Sequence, residues 1–142
     1  MVNLSVFAQY GKQKKADTLF NKFSFADAAD VYKDLIENDF NKDYSVRQLA
    51  DSYAYMRNPD SAVVYYRKVV EQNNVPSEYY YKYAQALRGV KEYKESRVWL
   101  RKFKDAGGII DNDKLSELMC VEILNPIFPT SLAQIKSLLP YT

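Results

Sequence analysis

The side chains able to do chemistry are few, and their counts are restrictive. Histidine is absent from the 142 residues and cysteine occurs once, at Cys120. A Cys/His zinc site, a Ser-His-Asp triad, a Cys-His pair and an internal disulfide therefore each lack a necessary member. Cys120 falls in an apolar helical pattern, where a thiol packs as a buried, inert group. What remains for acid–base work is Asp17 with Asp51. On neighbouring helices two such carboxylates stand about 10 Å apart, one helix diameter. That is too far to share a proton, and no enclosing pocket is implied for a two-carboxylate hydrolytic arrangement. With no second acid–base constellation present, the chain is expected not to be an enzyme and to carry no cofactor and no metal.

Two other clusters have the composition of binding sites. Tyr79-Tyr80-Tyr81-Lys82-Tyr83 resembles a base-stacking platform, which needs aromatic rings beside a positive groove. On a helix, however, consecutive rings point in different directions. Tyr80 and Tyr83 are expected to face the core, leaving Tyr79 and Tyr81 on the surface. Lys12-Gln13-Lys14-Lys15 reads as a solvated helix start. The whole chain carries 20 basic and 18 acidic side chains, a net charge of +2, too small for a nucleic-acid-binding field. Hydrophobic residues make up 47% and charged residues 27%, the balance of one globular domain with a real core.

The elements that must position these groups follow from an internal repeat. Ala16, Ala50 and Ala84 recur at a 34-residue period, as do Leu19, Tyr53 and Leu87. Ala28, Ala62 and Ser96 form a third column, Tyr32, Tyr66 and Leu100 a fourth, and Leu35, Val69 and Phe103 a fifth. Each period holds two apolar runs of helical spacing. The first unit predicts helices over 13–22 and 25–38, the third over 78–88 and 93–106. In the second, a helix over 44–56 is stopped by Arg57-Asn58-Pro59-Asp60, with Asn58 as cap and Pro59 at the first position of the next. That next helix turns Ala62, Val63, Tyr66, Val69 and Val70 inward. Small residues in two columns let paired helices approach to about 8–10 Å, and Gly107-Gly108 supplies a left-handed helix end. The units are 9–42, 43–76 and 77–110.

This column pattern resembles the tetratricopeptide repeat (TPR), a family whose repeat is 34 residues long. The resemblance covers residues 9–110 in three ungapped copies. It implies an all-α fold, a right-handed α-solenoid of three helix hairpins with C-terminal capping helices over 111–142, the whole of 9–142 being a single domain. Two departures stand out. The family's tryptophan column holds Lys12, Val46 and Tyr80, and its inter-helix glycine is replaced by Phe23, Arg57 and Lys91, which implies tighter or differently angled turns. In the family the first helix of each repeat lines a concave groove. The resemblance places there Tyr10, Gln13, Asp17 and Phe20; Tyr44, Arg47, Gln48, Asp51, Ala54 and Tyr55; and Glu78, Tyr81, Lys82, Gln85 and Arg88. Tyrosine and arginine suit a peptide or partner helix, since rings give contact area at low entropy cost and Arg fixes polar ends. The lysine and asparagine clamp by which chaperone adaptors of the family hold a C-terminal carboxylate is not matched. Gln13, Asp17, Gln48, Glu78 and Lys82 stand at its positions, and two of them repel a carboxylate.

The ends complete the reading. Residues 1–8 read as the remnant of a secretory signal, with Val6 and Ala8 at −3 and −1 of a cut before Gln9, or as a frayed terminus. The stretch after them resembles the N-terminal TPR segment of bacterial envelope proteins that continue into a β-propeller and an OmpA-like domain. This implies a periplasmic or envelope location tied to an outer-membrane assembly, with the cytoplasm as the alternative. At the other end, Leu115, Leu118, Met119 and Leu124 are expected to form the apolar face of one helix, stopped by Asn125-Pro126, and Leu132, Ile135, Leu138 and Leu139 that of a second, closed by Pro140. The expected function is a non-catalytic protein-binding scaffold, with no nucleic-acid partner and no direct membrane insertion. The alternative is a module that self-associates, as a homodimer, through the apolar C-terminal cap.

Overall fold

Proline, asparagine and a series of left-handed residues divide the chain. The computed structural model describes residues 4–111 and folds them into six α-helices, with no strand among the described residues. The helices are α1 Leu4–Asn21, α2 Phe25–Glu37, α3 Lys42–Tyr55, α4 Pro59–Val70, α5 Glu78–Gly89 and α6 Tyr93–Asp105. Packing divides the chain into a unit over Met1–Ala106, which holds all six helices, and another over Gly107–Thr142. The expected capping helices and Cys120 lie outside the described residues. No described helix is long and apolar enough to cross a membrane.

The three turns between α1 and α2, α3 and α4, and α5 and α6 are built alike. Phe23, Arg57 and Lys91, at the 34-residue interval, have φ of 63°, 55° and 65°. Each donates its backbone N–H to the carbonyl three residues back, in Phe20, Ala54 and Arg88. The next residue reaches five back, Ser24 to Leu19, Asn58 to Tyr53 and Glu92 to Leu87, at 2.9–3.0 Å. This is a Schellman closure, normally given to glycine because a Cβ strains the left-handed region. The turns are thus ordinary left-handed helix ends, and what replaces glycine is a strained residue, not a tighter bend. At the second turn the Asn58 side chain accepts from the Ser61 backbone N–H at 3.1 Å and Pro59 takes the first helical position, where a missing N–H costs nothing. Gly107, at φ 86°, follows α6.

The small-residue columns are where the helices meet. Ala16, Ala50 and Ala84 are fully buried, and Ala28, Ala62 and Ser96 nearly so. Ser96 Oγ donates to the Ala84 carbonyl at 2.8 Å, so a hydroxyl on α6 touches the backbone of α5. Around them Tyr32, Leu35, Leu49, Tyr66, Val69, Tyr83, Leu87 and Leu100 are buried, each such side chain worth about 1.5–3 kcal/mol of burial. One core cluster centres on α1, α2 and one side of α3 around Leu49, and a second on α3, α4 and α5. Tyr53 and Tyr65 pack against both. The extensive helix contacts run from each helix to the next along the chain.

Two elements differ from the sequence reading. The first helix begins at Leu4, not near Gln13. No proline interrupts 4–21, and Gly11, with nothing within 4 Å of an added Cβ, is too weak a breaker to stop it. Of α1 only Ala16 is buried, and Leu4 and Phe7 are 87% and 64% exposed. The tyrosine run also turns differently. Tyr83 is buried as expected, but so is Tyr79, while Tyr80 and Tyr81 are half-buried. α5 packs on α4 as well as on α6, and Tyr79 faces α4, its ring centroid 6.4 Å from that of Tyr66.

Candidate binding groove

Asp17 and Asp51 are held in similar ways, each by a tyrosine hydroxyl of the helix that follows. Asp17 Oδ1 accepts from the Tyr32 hydroxyl at 2.6 Å and from the Tyr44 hydroxyl at 2.9 Å. Asp51 Oδ1 accepts from the Tyr66 hydroxyl at 2.6 Å, and its Oδ2 from Lys82 Nζ at 2.9 Å. Each carboxylate therefore takes one donor from the helix that follows its own and one from the first helix of the next 34-residue unit. The third position in this column is Gln85, and the matching tyrosine is there Leu100. Where the carboxylate is lost, the hydroxyl that would satisfy it is lost too.

Electrostatics at these ties follow burial. Burial, and then the Asp17 carboxylate, push the Tyr44 phenol up to about 12 and the Tyr32 phenol further. Burial and Asp51 do the same to Tyr66. For Lys82 burial works to lower the ammonium pKa, but the hydrogen bond and charge of Asp51 outweigh it and leave it raised. Lys82 also lies 3.5 Å from Glu78 Oε1 and 4.5 Å from the centroid of the Tyr79 ring. The ammonium is thus fixed on three sides.

Six of the residues assigned to the groove meet at one place. Asp51, Ala54 and Tyr55 of α3 and Tyr81, Lys82 and Gln85 of α5 line a pocket of about 470 Å3. Its other walls are Arg57, Pro59, Ala62, Tyr66 and Ala86, which the sequence reading did not place there. Arg57 belongs to the left-handed turn column, and that column was the available signal. One end of the pocket region is tight, because a Cβ on Gly89 would stand 2.6 Å from Pro59 Cβ. The start of α4 and the end of α5 therefore approach as closely as only a glycine permits.

The other assigned residues are dispersed. Tyr10 sets its ring edge-on to Phe40 at 4.9 Å, and Gln13 Oε1 accepts from Asn41 Nδ2 at 2.9 Å. Phe20 contacts the pocket only through its neighbour Tyr55, at 5.7 Å between centroids, and Tyr55 stacks on Phe25 at 4.8 Å. Tyr44 is committed to Asp17, with Gln48 beside it. Arg47 is occupied as well. Its Nε donates to Gln72 Oε1 at 2.8 Å, Gln72 in turn donates to the Asp43 carbonyl, and the guanidinium lies 5.8 Å from the Tyr79 ring centroid. Arg88 donates to Gln85 Oε1 at 3.5 Å. Among the described residues no group of three or more metal-ligating side chains comes together.

What the arrangement can do chemically is hold an apolar group against tyrosine rings with polar atoms around the rim. No protein-family model matches the chain, and no curated protein matches it.

Proposed function

We propose that the chain is a non-catalytic protein-interaction scaffold that binds a peptide or a partner helix in a groove formed by α1, α3 and α5. In this reading three TPR-type hairpins stack as a right-handed α-solenoid, closed by capping helices. The repeated left-handed closures and the buried alanine columns support it. The observation that carries the binding role is the pocket between α3 and α5, because it gathers six of the side chains assigned to the groove around about 470 Å3 of space. Pockets of this size, apolar with a few polar groups, are ordinary ligand sites. Placement in a bacterial envelope assembly is part of the proposal and follows from the OmpA-type resemblance of the N-terminal stretch.

The test is a randomised peptide array probed with the wild-type chain and with Ala54→Trp. Ala54 is exposed and lines the pocket, so an indole there fills the space without disturbing the core. Peptides selected by the wild type should lose at least about tenfold in affinity for the variant, at unchanged helicity. A chain that selects no peptide, or binds equally well with the pocket filled, would sink the reading.

A further inference from the structure

The pocket also carries information about what enters it, and this step rests on the groove reading above. Its hollow is made by small residues: Ala54, Ala62 and Ala86 leave the space that Tyr55, Tyr66 and Tyr81 enclose. Rings on the walls and no side-chain bulk between them fit a large planar apolar group better than an aliphatic one.

The polar groups of the lining are mostly committed. Asp51 spends one oxygen on Tyr66 and the other on Lys82. Lys82 is shared between Asp51 and Glu78, and Gln85 accepts from Arg88. Arg57 differs from all of them. It is exposed, lines the pocket, and its guanidinium has neither ion pair nor hydrogen bond among the described residues. It also holds a left-handed φ of 55°, a conformation in which glycine would be the unstrained residue.

We infer that the pocket receives an aromatic side chain of a partner peptide, and that an Asp or Glu adjacent to it in the peptide pairs with Arg57. A guanidinium offers a carboxylate two parallel N–H donors, and the fixed turn holds its Cα in place before the ligand arrives. Asp51 and Glu78 both draw on Lys82, so Arg57 is the lining cation left to meet an incoming carboxylate.

Selectivity within the peptide array decides this. The wild-type chain should enrich peptides with Trp, Tyr or Phe next to Asp or Glu. In soluble versions of the best binder, aromatic→Ala should abolish binding and acid→Lys should weaken it by at least about tenfold, the value of one charge-assisted hydrogen bond. Two variants separate charge from backbone. Arg57→Glu should reverse the preference toward Lys or Arg, and Arg57→Gly, which suits the left-handed turn, should erase it while the melting temperature holds or rises. Equal binding of acidic and basic peptides by the wild type overturns the inference but leaves the groove reading standing. So does an acid preference that survives Arg57→Gly. If no peptide in the array binds, the groove reading falls and this inference with it.

Discussion

Asp17 and Asp51 carry the main polar ties between the helices. Each carboxylate is tied to tyrosine hydroxyls at hydrogen-bonding distance, so its value lies in satisfying buried polar groups. Removing a donor from such a site costs more than the bond gained in forming it. Tyr66→Phe should therefore destabilise the fold by about 1–3 kcal/mol, measured by urea unfolding. A cycle with Asp51→Ala should show that the two losses do not add; strict additivity would mean that the tie is not energetically coupled. The same tyrosines set an alkaline limit. In the unfolded chain they ionise near the ordinary tyrosine value of about 10, whereas in the fold Tyr44 is held up to about 12 and Tyr32 and Tyr66 higher still. The unfolded state then binds fewer protons as pH rises past about 10. The contribution is fully present below that pH and is lost above it, at about 1.4 kcal/mol per pH unit for each such tyrosine. Urea midpoints across this range should fall steeply, and less steeply for Tyr32→Phe.

At the scale of the elements, the helix boundaries other than the start of α1 were legible to within two residues, as were most inward faces, because Asn58-Pro59, Gly107 and the small-residue columns act locally. The Schellman turns were half legible. The missing glycines were plain in the sequence, but the backbone bonds that close the turn ask for a left-handed residue whatever its side chain. Glycine should relieve the strain at Phe23, Arg57 and Lys91, so each Phe/Arg/Lys→Gly change is expected to stabilise by about 1 kcal/mol. The three changes together should depart from a simple sum, since Phe25 beside the first turn stacks on Tyr55 beside the second and Gly89 before the third meets Pro59 after the second. Thermal melts of the single and triple variants check this, and a loss of stability would show that the side chains contribute more than the strain costs. The burial of Tyr79 was not legible, because a period-3.6 pattern identifies one inward face while α5 is covered by α4 and α6 together. Likewise, Arg47 looked like a free groove cation until Gln72, 25 residues away, came to meet it.

For the described molecule as a whole, stability is expected to vary along the chain. α3 and α4 are each covered by helices on both sides, whereas α1 has its extensive contact with α2 alone and buries only Ala16. Amide hydrogen exchange should therefore be fastest over residues 4–15 and slowest in α3 and α4, following local burial; uniform protection would contradict this. The candidate site stands against the protected part, with its lining drawn from α3, α4 and α5. The carboxylate ties add a further consequence for engineering. Asp17 finds its second donor at Tyr44, and Asp51 finds its own one helical turn further on, at Lys82, where Glu78 has taken the tyrosine's place. The two joints are thus interchangeable solutions to one requirement. A tandem copy of residues 43–76 inserted after Pro76 would offer its copied tyrosine to Asp51 and its copied carboxylate to Lys82, making this segment a cassette whose carboxylate ties match at both junctions, while the face of α4 that now meets Tyr79 and Tyr83 would meet the copied Ser45 and Leu49.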